Sequence, residues 1–152
     1  MQEYQVPRRE VRARVLLDDG RVLDCLMFTA VTARDGGPQR VIDRLNDPGE
    51  EFVPVSCRDD RFLVNKSGIV TVQITQGDEI AAVRTGSGSD AAVRISLTGG
   101  ISLVGRFEIS MPPERSRVID FLNVAPRFLA LFGENRVTLV QRSYIVAVRS
   151  PV

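Results

Sequence analysis

The chain has no histidine and no tryptophan, a single lysine and two cysteines among 152 residues. Without histidine, the usual general base near neutral pH and the commonest metal ligand are both missing. Cys25 and Cys57 stand alone, with no CxxC spacing that would build a zinc site. Neither a Gly-x-Ser-x-Gly elbow nor a P-loop occurs. The carboxylate pairs Asp18-Asp19, Glu50-Glu51 and Asp59-Asp60 fall in expected turns, where solvated turn chemistry accounts for them. No apolar run approaches the ~18 residues of a membrane span, and the charged segment from Met1 to Val15 carries no signal-peptide core. Lys+Arg at 20 against Asp+Glu at 19 gives a net charge of +1, so no global field gathers nucleic acid. These absences point to a cytoplasmic protein that is not an enzyme, holds no cofactor or metal, and has neither membrane nor DNA as a partner. Both cysteines read as buried thiols of a reducing compartment.

What is present is self-similarity. Arg40-Val-Ile-Asp-Arg-Leu-Asn46 recurs as Arg117-Val-Ile-Asp-Phe-Leu-Asn123. On its N-terminal side, Val15 to Leu23 matches Ile95 to Leu103; on its C-terminal side, Leu63 to Val72 matches Leu139 to Val148, and Phe52 falls on Phe128. Order and spacing are kept together, which implies duplication of one unit. Alternation at Val11, Ala13 and Val15, and at Val93, Ile95 and Leu97, predicts a first strand in each half. Asp19-Gly20 and Gly99-Gly100 predict hairpin turns into a second strand. A polar loop follows (Arg34 to Pro38; Met111 to Glu114). The repeated block then predicts a short helix with Leu45 or Leu122 on its inner face. Asn46 and Asn123 suit a left-handed helix stop, and three more strands complete each unit. The fold class is therefore mainly β: two tandem small five-stranded barrels, each with one short helix inserted after its second strand. The expected division is 8–76 for the first repeat, 77–90 for a linker containing Gly86-Ser-Gly-Ser89, and 91–152 for the second repeat.

The run Arg94-Ile-Ser-Leu-Thr-Gly-Gly-Ile-Ser-Leu-Val-Gly105 resembles the first two strands of bacterial Sm-like barrels of the Hfq type, and Thr138 to Val148 resembles their last two. The resemblance implies a small curled barrel in each half. It also implies an RNA site at Asn65 and Lys66 and at Gln141, Arg142 and Tyr144. Cys25 replaces the glycine that Gly105 matches, and serine (Ser67, Ser143) stands where the Hfq lysine–histidine pair has its histidine.

Several residues carry function in this reading. Arg40 with Asp43, and Arg117 with Asp120, are the polar part of the repeat signature; a helical i, i+3 ion pair explains each. The halves differ most where Arg44, Asp47, Pro54 and Ser56 become Phe121, Val124, Ala130 and Phe132. Phe121, Val124, Leu129 and Phe132 are accordingly the candidate partner-binding residues. Such an apolar surplus marks either an external interface or the contact between the halves. The leading expectation is a non-catalytic scaffold or adaptor that binds a protein partner or itself. An Sm-like RNA-binding protein is the alternative, and a small-ligand-binding domain the next.

Overall fold

A computed structural model describes residues 8–32, 36–86, 88–112 and 117–150. Parts of both expected polar loops, at Arg34 and Asp35 and at Pro113 and Glu114, lie outside the described residues. The first half contains β1 (Arg8–Leu17), β2 (Val22–Ala30), α1 (Val41–Asn46), β3 (Phe52–Cys57), β4 (Asp60–Asn65) and β5 (Ile69–Ile74). After α2 (Gly77–Val83) come β6 (Ser89–Leu97), β7 (Ile101–Ile109), α3 (Val118–Val124), β8 (Phe128–Gly133), β9 (Arg136–Gln141) and β10 (Ile145–Arg149).

The ten strands form one antiparallel sheet in the order β10-β6-β7-β8-β9-β5-β1-β2-β3-β4. Two separate closed barrels are therefore not what forms. Each half contributes a block ordered fifth-first-second-third-fourth, and the blocks are stitched edge to edge by β5 and β9. The physical reason is the strand edge: an unpaired edge leaves a row of N–H and C=O groups without partners. A unit this small also buries too little apolar surface to be robust alone. Joining edges answers both needs.

Strand registers correspond between the halves. Val15 faces Leu23 as Ile95 faces Leu103, and Phe52 faces Asn65 as Phe128 faces Gln141. Leu26 opposite Ser56 is matched by Arg106 opposite Phe132. Even the irregularities recur: pairing to the first strand of each half skips Val70 in β5 and Val146 in β10. The hairpin glycines take the positive φ expected of them, Gly20 at 90° and Gly99 at 89°. At Gly105 a β-carbon would meet the Leu131 side chain and the Phe132 carbonyl at 2.7 Å, so β8 crosses β7 closely only because the side chain is missing there.

Two apolar clusters form the core, and both cross the joint. Phe128, Phe132, Val137 and Leu139 of the second half join Val11, Val15, Met27, Val41, Leu45 and Val72 of the first. In return, Val70 packs with Ile95, Phe107, Leu129 and Val140. The span 77–90, expected as a linker, begins with α2, whose Glu79 and Val83 are buried. Asn46 is not a left-handed stop either: α1 ends through Asp47 in extended conformation, φ −67° and ψ 114°. Among the described residues, no helix is long and apolar enough to cross a membrane.

Candidate functional site: the joint and the open edges

Three of the residues singled out in the sequence, Asn46, Gln141 and Tyr144, bond across the β5–β9 joint. Its backbone core pairs Thr71 with Val140, Val72 with Leu139, Gln73 with Thr138 and Ile74 with Val137. Around it, side chains of one half bond the main chain of the other. The Asn46 amide clamps Phe128 on both sides: Phe128 N–H donates to Oδ1 at 2.7 Å, and Nδ2 donates to the Phe128 carbonyl at 3.0 Å. The buried Gln141 amide donates to the carbonyls of Lys66 and Ile69, at 2.9 and 2.6 Å. The Tyr144 hydroxyl donates to the Ser67 carbonyl and lies 3.1 Å from the Asp18 carboxylate.

Arg127 links this network to charge. Its Nε donates to Gln141 Oε1 at 2.9 Å, and its two terminal nitrogens reach the two Glu51 oxygens at 3.0 and 3.1 Å. This fork geometry is that of a charge-assisted bidentate pair. Glu51 is thus not simple turn chemistry, nor is Glu50, which Arg44 holds at 2.8 Å. Arg127 and the Ser67 hydroxyl hold the Glu51 carboxyl down at about 2, against an ordinary 4.5. A group depressed on folding stabilises above its ordinary value and loses that contribution as pH falls through its folded value. Glu51→Gln should therefore be less stable than the parent above pH 4.5, and the difference should close as pH falls toward about 2. Urea unfolding at stepped pH measures that difference. A gap independent of pH would contradict the Glu51–Arg127 assignment.

Of the RNA-site candidates, Lys66 and Gln141 are buried, while Asn65 and Arg142 are exposed. The Lys66 ammonium donates to the carbonyls of Arg44 and Asp47, at 2.7 and 3.0 Å. Burial pushes it below the usual lysine range, against the pull of Glu50 and Asp47. Arg142 does the same work for α3, donating to Leu122 and Ala125 carbonyls at 3.2 and 2.7 Å. Both cations therefore cap helix C-termini, where orphan carbonyls need donors. Asn65 turns its oxygen to the Ser67 N–H.

The candidate partner-binding set splits. Leu129 and Phe132 are core residues at 2% and 4% exposure, so they offer no surface. Phe132 enters the first half's cluster, with the Arg84 guanidinium 4.5 Å above its ring. Phe121 leans on Phe107 at 5.1 Å between centroids. Val124 alone of the four is exposed. The Arg40–Asp43 and Arg117–Asp120 pairs are i, i+3 ion pairs at 2.7 and 3.0 Å, and Asp43 also accepts the Arg40 backbone N–H. Leu45 is fully buried, whereas Leu122 is only partly so.

Glu79 went unnoticed in the sequence. It is fully buried; one oxygen accepts the Val41 N–H at 2.7 Å and the other Arg9 Nη2 at 3.0 Å. Ile80 and Val83, one helical turn apart, were the available signal, overshadowed by the glycine-serine run beyond them. Cys25 and Cys57 are free thiols. Burial, then the neighbouring Cys57, pushes the Cys25 thiol up to about 12, far from the reactive thiolate.

The sheet ends at β4 on one side and at β10 on the other. Among the described residues no strand pairs with either outer edge. Large apolar side chains stand exposed there: Phe52 on β3, Leu63 on β4 and Val146 on β10. Comparison with protein-family models, with curated proteins and with solved structures finds no match to this chain.

Proposed function

We propose that this protein is a non-catalytic assembly module, built from two diverged copies of one Sm-like unit, whose two bare sheet edges are its contact surfaces. Matching strand order and register in the halves support the duplicated unit. The observation that carries the assembly reading is the state of the outer edges. Proteins that remain alone protect such edges with charge, proline or bulges that turn the strand away. Here β4 carries Asp60 and Arg61 and β10 carries Arg149 and the irregularity at Val146, yet the two strands still present Leu63 at 66% and Val146 at 69% exposure. A bare edge with apolar side chains is the surface that strand addition uses, with main-chain hydrogen bonds giving affinity and side chains giving selectivity. The conspicuous polar residues, Glu51, Glu79, Lys66 and Gln141, are spent on internal bonds, which favours a structural role over chemistry.

The test is the size of the protein in extract from the cells that make it. The full chain should run as a complex larger than itself, and Leu63→Lys combined with Val146→Lys should return it to monomer size. A parent chain that already runs as a monomer would overturn the reading.

A further inference from the structure

The joint inside the chain shows what fits the edges outside it. We infer that β10 of one molecule pairs antiparallel with β4 of a second copy, in the register that β5 and β9 use within each chain. Copies then add head to tail through repetition of a single joint. The inference rests on the assembly reading and names its occupant.

Burial carries it. Under the sequence correspondence, β10 is the counterpart of β5 and β4 the counterpart of β9. Phe128, Leu139 and Val70 are sealed by the internal joint at 0%, 0% and 3% exposure. Their counterparts Phe52, Leu63 and Val146 stand at 52%, 66% and 69%. The two sets have the same apolar character and differ only in whether a neighbouring half covers them. Val146 sits at the same skipped position as Val70, so the irregularity that aims Val70 across the internal joint aims Val146 outward.

The helices agree. α1 packs against β8 across the joint, and its Val41 and Leu45 are fully buried. Among the described residues α3 shows no comparable packing on a strand of the other half; Val118 and Leu122 are only partly covered, and Ile119 is 59% exposed. A second copy would bring its β3 under α3. Asn123, exposed here, would then reach the Phe52 backbone of that copy as Asn46 reaches Phe128. Charge adds nothing at the outer joint, because Arg127 and Glu51 of each chain are already held by each other at the inner one.

Transposed, the internal register places Ala147 opposite Val64, Val148 opposite Leu63 and Arg149 opposite Phe62 of the next copy. The outer joint lacks several clasps: Gly68 stands in place of Tyr144, Asn65 in place of Gln141, and Ser150 opposite Arg61 in place of Ile74 opposite Val137. It should therefore be weaker than the inner one and form reversibly with concentration. Because the two surfaces differ, the contact is heterologous; it closes into a ring or continues as a filament according to the rotation at each joint.

The test uses purified full-length chain in a Cys57→Ser background. A Leu63→Cys pool is mixed with a Val148→Cys pool and oxidised mildly, and a Leu63→Cys with Ala147→Cys mixture serves as the off-register control. Facing residues of an antiparallel pair lie within disulfide reach, and a slip of one residue turns the side chain to the other face. The expected result is concentration-dependent multimers by native mass, lost in Val146→Lys, with several-fold more cross-linked dimer from the Val148 mixture than from the control. A purified chain that stays monomeric at every concentration overturns the inference. So do multimers that survive Val146→Lys or cross-link equally in both mixtures. An edge-dependent complex in cell extract beside a monomeric purified chain would leave the assembly reading standing while removing the second copy as occupant.

Discussion

Glu79→Ala is expected to lower the free energy of unfolding by about 3–5 kcal/mol, the cost of breaking a buried ion pair from one side. The carboxylate is fully enclosed and does two jobs: it neutralises Arg9, and it receives the first N–H of α1 at Val41. Removing it leaves a largely buried guanidinium without its main counter-charge and a buried backbone donor without an acceptor. Among the described residues Arg9 then keeps Asp78, Thr29 and the Gln39 carbonyl. The position ties three elements, β1, α1 and α2, so its loss should loosen both helices from the sheet. Asp78→Ala is the matched control. It removes the other carboxylate on the same arginine, but Asp78 is 65% exposed, so the expected loss is only about 0.2–1 kcal/mol. Urea unfolding of the two variants gives the comparison directly. Equal losses would show that burial at Glu79 is not what matters.

Phe128→Ala is the second large effect, at about 3–5 kcal/mol for truncating an enclosed aromatic. Phe128 belongs to the second half by sequence yet sits in the first half's cluster at 0% exposure. Its backbone is also the group that Asn46 clamps. The cavity would open at the joint, so cooperativity between the halves should suffer along with stability. Phe52→Ala makes the same chemical change at the corresponding position, where the side chain is 52% exposed. In dilute protein that change should stay within about 0.5 kcal/mol, as surface substitutions generally do. At concentrations where copies associate, Phe52→Ala should instead weaken association. A Phe128→Ala protein as stable as its parent would mean that the halves are not joined through this core.

The elements themselves were legible because they are local. Turn glycines, alternating strands and the short amphipathic helix each leave a mark within ten residues, and the structure places them as the pattern requires. Strand adjacency leaves no such mark. Alternation at Val11, Ala13 and Val15 tells which face is buried, not which strand lies beside it, so one sheet through β5 and β9 could not be told from two closed barrels. The sequence nevertheless carries one such mark. Phe128-Leu-Ala-Leu-Phe132 is a continuous apolar run rather than an alternating one. Such runs mark strands covered on both faces, and β8 indeed feeds Phe128 to one cluster and Leu129 to the other. The sequence left that surplus open between an external interface and the contact between the halves; Leu129 and Phe132 are buried, and Phe132 packs in the cluster shared with the first half. Asn46 was misread for a similar reason. An asparagine at a helix end satisfies the left-handed stop and the long-range clamp equally well, and only the neighbouring half decides between them. Lys66 and Arg142 looked like a basic site because a cation that caps a helix and a cation that meets phosphate are the same residue in sequence.

Hydrogen exchange of the intact chain at increasing concentration tests most directly whether the joint sealed inside the molecule is the one left open at its ends. Amides of Thr71 to Ile74 and of Val137 to Val140 should be protected at every concentration. The outward-pointing amides of Asp60 to Asn65 and of Ile145 to Arg149 should exchange freely in dilute solution and slow together as concentration rises. Edge amides whose exchange ignores concentration, or β5 and β9 amides that exchange as fast as the edges in dilute protein, would contradict it.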